Sequence, residues 1–235
     1  MHLEVVRQRI EQAAKRAGRD PSGVRIVAVT KTHPIAAVRE AVEAGLPDIG
    51  ENRVQEALEK QGEWPDAPVR WHLIGHLQRN KAKLAAGRFA LIHSLDSIRL
   101  ADALGQAAAA KGVVQPVLVQ VNVAREPQKD GCLPEECDAL VAAVAAQAHL
   151  RLEGLMAMAP LTDDTALVRA TFRGLRDLGD RLGPRSDAPG TTRDAPRTTH
   201  RWTLSMGMSG DFEIAVEEGA TLLRLGTVLF GERRP

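Results

Sequence analysis

The first feature of this chain able to do chemistry is Lys31, which follows the apolar run Val27-Ala28-Val29 and Thr30 in RIVAVTKTHP. An amine at the end of a buried strand loses part of its hydration. Burial disfavours the ammonium form, and the neutral amine can condense with an aldehyde. A lysine at such a point can equally reach past the strand and keep its charge in water. Position alone leaves both placements open. A second feature is SMGMSGDFEIAV, where Gly207, Ser209 and Gly210 precede a helical pattern and Asp211 falls in its first turn. Backbone N–H groups at that helix start, with the Ser209 hydroxyl, suit a phosphate. The third is Arg224-Leu225-Gly226-Thr227, whose glycine permits close backbone approach and whose threonine adds a donor. Taken singly, each is an ordinary turn, and Ser209 serves equally well as an N-cap.

Whether these features meet depends on the elements that carry them. Short apolar runs recur at residues 25–29, 47–50, 69–74, 89–94, 115–123, 151–158, 201–206 and 222–230. Near-continuous apolar runs of this length read as parallel strands covered on both faces. Helical patterns separate them at 35–45, 52–61, 77–86, 97–111, 134–148, 164–182 and 210–218. Pro34 suits a first helical turn and Gly45 a C-terminal stop. Eight strands with seven intervening helices predict a single closed (β/α)₈ TIM barrel over residues 1–235 rather than an open sheet. No helix follows the eighth strand. The amphipathic N-terminal segment, with Leu3, Val6, Ile10, Ala13 and Ala17 at helical spacing, is an extra helix placed to close that gap. Residues 183–200, rich in Pro, Gly, Thr and Asp, read as a long flexible surface loop.

In such a barrel, functional groups gather at the C-terminal ends of the strands. The first strand delivers Lys31, and the second Glu51 and Asn52. The third delivers His76, with Gln78 and Asn80 just beyond. The fifth ends in Asn122, and the sixth in Met156 and Met158. The seventh ends in Ser205-Met206-Gly207-Met208-Ser209, and the eighth carries Arg224, Gly226 and Thr227. Barrels often bind phosphate after strands seven and eight, so the two glycine-bearing turns together favour a phosphate ligand. Other residues read as structural. His72 and His76 have metal-ligand spacing only on a helix, and this segment reads as strand and turn. His76 is therefore a hydrogen-bonded structural histidine. Trp64, Trp71 and Trp202 are packing residues, and the methionines line core or pocket.

Composition narrows the class of protein. Apolar residues make up 44%, enough for a sizeable core, and 31 basic against 30 acidic residues give a formal charge of +1. That balance offers no footprint for nucleic acid or an anionic membrane. No apolar run is long enough to span a bilayer, and the N-terminus lacks the apolar core of a signal peptide. Cys132 and Cys137 lack zinc-site spacing, so the expectation is two free thiols in the reducing cytoplasm.

A lysine after the first strand and a phosphate cradle after the last two is the layout of fold-type III pyridoxal phosphate (PLP) proteins. The stretches VAVTKTHP, IGENRVQEALEK, WHLIGHLQRNK, IHSLDS, QVNVAREPQKDG, LEGLMAMAP, LSMGMSGDFEIAVEEGATLLRLGT and LFGERRP occur in order along nearly the whole chain. In them the sequence resembles the pyridoxal phosphate homeostasis protein family, formerly labelled after a proline synthetase co-transcribed gene. The resemblance implies PLP held as a Schiff base on Lys31, with Asn52 beside it. It implies Met206 and Ser209 at the phosphate end, Gly226 and Thr227 completing the cradle, and Arg224 facing the pyridine nitrogen. The long 183–200 segment departs from the family's shorter connection.

The resemblance also implies a carrier acting in vitamin B6 homeostasis that supplies PLP-dependent apoenzymes and so touches amino-acid metabolism indirectly, and the missing dimerising domain favours a monomer. The family resembles alanine racemase in its barrel, yet this chain has no second, β-rich domain and no tyrosine to act as acid or base. An arginine opposite the pyridine nitrogen stays charged and donates no proton to it. The ring is then a poorer electron sink. Two alternatives stand beside the carrier. One is a minimal racemase-like PLP enzyme with His76 or Lys31 as base; the other is a phosphosugar or aldolase-type barrel using Lys31 without cofactor.

Overall fold

A computed structural model of the chain describes residues 1–183 and 202–231, and in it eight parallel strands close into a barrel in chain order. They are β1 (Arg25–Val29), β2 (Asp48–Glu51), β3 (Arg70–Leu73), β4 (Leu91–Leu95), β5 (Gln115–Gln120), β6 (Leu150–Met156), β7 (Thr203–Ser205) and β8 (Leu222–Leu225). Closure comes from β8 pairing with β1, from Arg25 against Leu222 to Ala28 against Leu225. The apolar runs form strands because both of their faces are covered, by barrel interior on one side and helices on the other.

Helices α1 (Leu3–Arg16), α2 (Ile35–Glu43), α3 (Val54–Glu63), α4 (Ala82–Ala85), α5 (Ile98–Ala110), α6 (Cys137–Ala145), α7 (Thr165–Leu182), α8 (Phe212–Glu217) and α9 (Thr227–Phe230) surround it. The extra helix α1 buries Leu3, Val6, Ile10, Ala13 and Ala14, while Ala17 ends the helix and is exposed. It lies against α8 and α9. Arg9 forks onto Glu213 at 3.1 and 2.9 Å, Arg16 Nε reaches Glu217 at 2.7 Å, and the His2 N–H donates to Leu229 O at 2.9 Å. No helix among the described residues is long and apolar enough to cross a membrane.

Several boundaries differ from expectation. The eighth strand stops at Leu225, and its expected continuation to residue 230 is the short helix α9. The N–H groups of Leu229 and Phe230 turn back to Gly226 O at 2.8 and 3.0 Å instead of crossing to a neighbouring strand. An apolar run this short fits a buried helical turn as well as a strand. The third helix starts at Val54, since Arg53 is still extended, which leaves Asn52 at the strand end. The expected helices over 77–86 and 134–148 each open with a 3₁₀ turn, Arg79–Lys81 and Pro134–Glu136. The loop expected at 183–200 falls, from residue 184, outside the described residues.

Two sets of side chains fill the barrel. Val27, Leu91, Leu118, Met156 and Leu222 form a small apolar cluster separate from the larger core beneath the helices. His72, His93, Ser205 and Arg224, one each from β3, β4, β7 and β8, are buried polar residues. Strand alternation turns them inward with the apolar set.

The β6–β7 seam carries the tightest backbone approach. Gly154 has φ +149° and pairs with Thr203, and a Cβ there would lie 2.0 Å from Thr203 O. Gly154→Ala must therefore push two paired strands apart. It is expected to lower stability by about 3 kcal/mol, read from the urea unfolding midpoint. An unchanged midpoint would show that these strands separate freely.

Candidate functional site

At the C-terminal mouth of the barrel a cavity of about 420 Å³ opens among the strand ends, within the roughly 300–1,000 Å³ of small-molecule sites. Val29, Lys31 and His33 bound it on the β1 side, and Asn52, Ile74, Gly75 and His76 after β2 and β3. Gln120, Asp130 and Met158 come from β5, β6 and the segments after them. Met208, Ser209, Gly210, Arg224, Gly226 and Thr227 close it at β7 and β8. Six of the seven expected site residues thus share one cavity. Met206 is the exception: its side chain is fully buried in the core, and Met208 takes the place on the wall. Strand alternation explains the exchange, because Ser205 turns into the barrel and Met206 turns away from it.

Lys31 is half-buried at the tip of a turn that is held from below. Thr32, directly after it, has φ +64°, a conformation costly for a β-branched residue. Hydrogen bonds on both sides of Lys31 sustain it. The Thr32 N–H donates to Glu56 Oε1 at 2.6 Å, and the His33 N–H to Thr30 O at 2.9 Å. Lys60, buried in α3, donates from one ammonium to Thr30 O at 2.8 Å, Glu51 Oε1 at 2.7 Å and Glu56 Oε1 at 2.9 Å. The Thr30 hydroxyl adds a 2.5 Å bond to Glu51 Oε1. Burial pushes the Glu51 carboxyl above its usual range, against the pull of Lys60 and Thr30. Glu51 therefore serves beneath the turn rather than in the cavity. Sequence reasoning missed Lys60, because Glu56 and Lys60 at i, i+4 look like an ordinary surface pair.

Across the cavity, the loop after β7 meets the turn after β8. Ser209 Oγ accepts from the Gly226 N–H at 3.4 Å and from the Val228 N–H at 3.2 Å. Its own proton is then available to an acceptor in the cavity, where the exposed Thr227 adds another hydroxyl. The Asp211 carboxylate folds back onto the Met208 N–H at 2.5 Å and tightens the loop. Hydrogen-bonding groups thus collect around Ser209, Gly226 and Thr227, where the two glycine-bearing turns singled out in the sequence meet.

Arg224 is buried in the same site. It donates to Ser205 Oγ at 2.7 Å and Ala157 O at 2.9 Å. Burial lowers its guanidinium to about 10 while attraction to Asp211 acts the other way, so it is cationic at neutral pH. At the rim, His76 Nδ1 lies 3.4 Å from Asp96 Oδ2 and 3.5 Å from Asp130 Oδ1. Asn122, delivered by the fifth strand, bonds instead to the backbone of Glu126 and Lys129 and shapes their loop. Gln120 lines the wall in its place. Gly75 lets β3 end directly against Asn52, whose backbone O would lie 2.4 Å from a Cβ there. An amine on one wall, hydroxyls on another and a buried guanidinium suit a small ligand with an aldehyde and a phosphate. A phosphorylated pyridine aldehyde fits that donor set.

Comparison with known proteins points the same way. The model of the alanine racemase N-terminal domain family matches residues 1–234. A pyridoxal phosphate homeostasis protein from Pseudomonas aeruginosa is 46% identical over 99% of this chain and 94% of its own length. Its counterpart in Aquifex aeolicus is 41% identical over 99% and 97%. PipY from Synechococcus elongatus, solved with PLP bound, superposes with a TM-score of 0.77 at 39% identity, over 95% of this chain and 100% of that one.

The Lys60 cluster yields a stability prediction. Removing one partner of a buried ion pair strands the other's charge, so Lys60→Met should cost about 3–5 kcal/mol in urea unfolding at pH 7. Adding Glu51→Gln removes the stranded carboxylate and should recover part of that loss. A cost below about 1 kcal/mol, the level of an exposed pair, would show that the cluster does not hold the turn.

Proposed function

This chain belongs to the alanine racemase N-terminal domain family and, within it, to the pyridoxal phosphate homeostasis proteins, and from that premise we propose that it binds PLP at the barrel mouth and holds it for supply rather than catalysis. The observation that carries this reading is that Lys31, Arg224 and the Ser209–Gly226–Thr227 wall all face one cavity. When bound, the cofactor supplies an aldehyde that a Schiff base ties to the Lys31 amine. Ser209 and Thr227 donate hydroxyl hydrogen bonds to its phosphate, and Gly226 lets the backbone approach. Asn52 packs beside the ring. Met206 supports the β7 loop from the core instead of touching the ligand. In this reading the protein works in the cytoplasm as a monomer, and PLP-dependent apoenzymes receive what it releases, with indirect effects on amino-acid metabolism.

Arg224 argues against turnover. A buried guanidinium keeps its charge and donates hydrogen bonds without giving up its proton. Placed at the pyridine nitrogen, it leaves the ring unprotonated and weakens the electron sink that racemisation needs. A second reading, a minimal racemase, has one observation in its favour: His76 stands on the cavity wall beside two carboxylates, in a position to move a proton.

Two experiments test these readings. The purified parent should show long-wavelength imine absorbance, and borohydride reduction should label Lys31. Lys31→Ala should lose the band, whereas a yellow variant with the label on another lysine would reject the assignment. Incubated in deuterated buffer with common amino acids, the parent should give no stereospecific α-proton exchange. Exchange at ordinary enzymatic rates, about 1–10³ s⁻¹, would establish the racemase reading.

A further inference from the structure

Behind Arg224 a line of buried polar groups crosses the barrel to its opposite end. Arg224 Nη1 lies 2.7 Å from Ser205 Oγ, and Ser205 Oγ lies 2.9 Å from His93 Nδ1. His93 Nε2 is 2.9 Å from His72 Nδ1, and His72 Nε2 is 2.9 Å from Asp48 Oδ1. All five residues are at least nine-tenths buried. Asp48 opens β2, at the N-terminal mouth, where Arg70 forks onto its two oxygens at 2.7 and 2.6 Å. The chain thus starts in the ligand cavity and ends at the far side of the barrel.

The two ends set the direction of every bond between them. A guanidinium only donates, so Ser205 Oγ accepts from Arg224. An ionised carboxylate only accepts. Burial pushes the Asp48 carboxyl up, but the hydrogen bonds from Arg70 and His72 outweigh it and hold it below the usual carboxylate range. His72 therefore carries its proton on Nε2, facing Asp48, and offers Nδ1 as an acceptor. His93 donates to it from Nε2 and accepts on Nδ1 from the Ser205 hydroxyl. Every proton has an acceptor, and all four bonds point from Arg224 towards Asp48. The reverse placement fails the same count. With a second proton on His72, His93 would turn its own proton to Ser205. The Ser205 hydroxyl would then have no acceptor among the described residues. Burial, above all, also holds His93 well below the usual histidine range, so its ring is neutral.

We propose that Ser205, His93, His72 and Asp48 form a one-way hydrogen-bonded chain, anchored at the opposite end of the barrel, that positions Arg224. Among the described residues Arg224 forms no ion pair with a carboxylate; its partners are a hydroxyl and a carbonyl. Asp211 supplies the charge that attracts Arg224, while the aligned bonds, which polarise one another, fix the orientation in which Ser205 receives it. The chain is thereby a positioning device for the ring end of the ligand. That role rests on the proposed PLP reading, whereas the direction of the bonds does not.

The test has two arms. In the ligand-free parent at pH 7, ¹⁵N-labelled histidine NMR should report both His72 and His93 as neutral Nε2–H tautomers. A proton on Nδ1 of either ring would overturn the chain. In the PLP-loaded protein, Ser205→Ala removes the hydroxyl that both accepts from Arg224 and donates to His93. PLP affinity should fall about tenfold or more with a shift in the absorbance maximum, and Ser205→Thr should restore both. A Ser205→Ala protein with the parent's spectrum and affinity would overturn the positioning role. Should the parent itself bind no PLP, the function reading fails, and the histidine tautomers still decide the chain.

Discussion

The contact on which the site depends is the closure of β8 onto β1. Val27 pairs with Arg224 and Ala28 with Leu225, so the two ends of the sequence lie side by side. Lys31 leaves β1 just beyond this seam, and Gly226 and Thr227 leave β8 at the same level. The Val29 carbonyl would sit 3.4 Å from a Cβ on Gly226, an ordinary contact distance between neighbouring strands. An amine and an anion cradle separated by most of the chain thereby share one cavity. Helix α1 packs outside the barrel against α8 and α9, which precede and follow β8 in the chain.

Two buried cations beside this seam are stabilised in different ways. Lys60 takes two carboxylates and a carbonyl directly, and the group it serves is the backbone on either side of Lys31. Buried ion pairs often add little net stability because desolvation offsets their attraction. Their use here is geometric, holding Thr32 in a conformation the chain would otherwise leave. Arg224 takes no carboxylate directly. A hydroxyl and a carbonyl satisfy it, and the nearest strong counter-charge along the hydrogen bonds is Asp48. Among the described residues the guanidinium makes no direct ion pair, although Asp211 attracts it, and its positive field acts on whatever enters the cavity.

The sequence by itself determined the architecture, since apolar runs of strand length alternating with amphipathic helices have few ways to be covered on both faces. It also placed Lys31, Asn52, Ser209, Arg224, Gly226 and Thr227 at strand ends, because barrel topology sends those ends to one mouth. It misjudged Met206, since which of two adjacent residues turns inward depends on the register of β7. It also ran β8 on to residue 230, since a short apolar run is silent on whether its N–H groups cross to a neighbour or turn back.

Only the tertiary structure decided what lies beneath the site. Lys60 and Glu56 carry the spacing of any solvent-exposed helix pair, and only the packing of α3 against β1 and β2 buries the lysine and aims it at Thr30. His72, His93, Ser205 and Arg224 are polar residues on four separate short strands, and nothing local tells them from isolated structural polars. They connect because closure turns four separated strands inward on one interior, where each must find its hydrogen-bond partner in another. Partnership of that kind is a distance in space, and a linear sequence does not contain it.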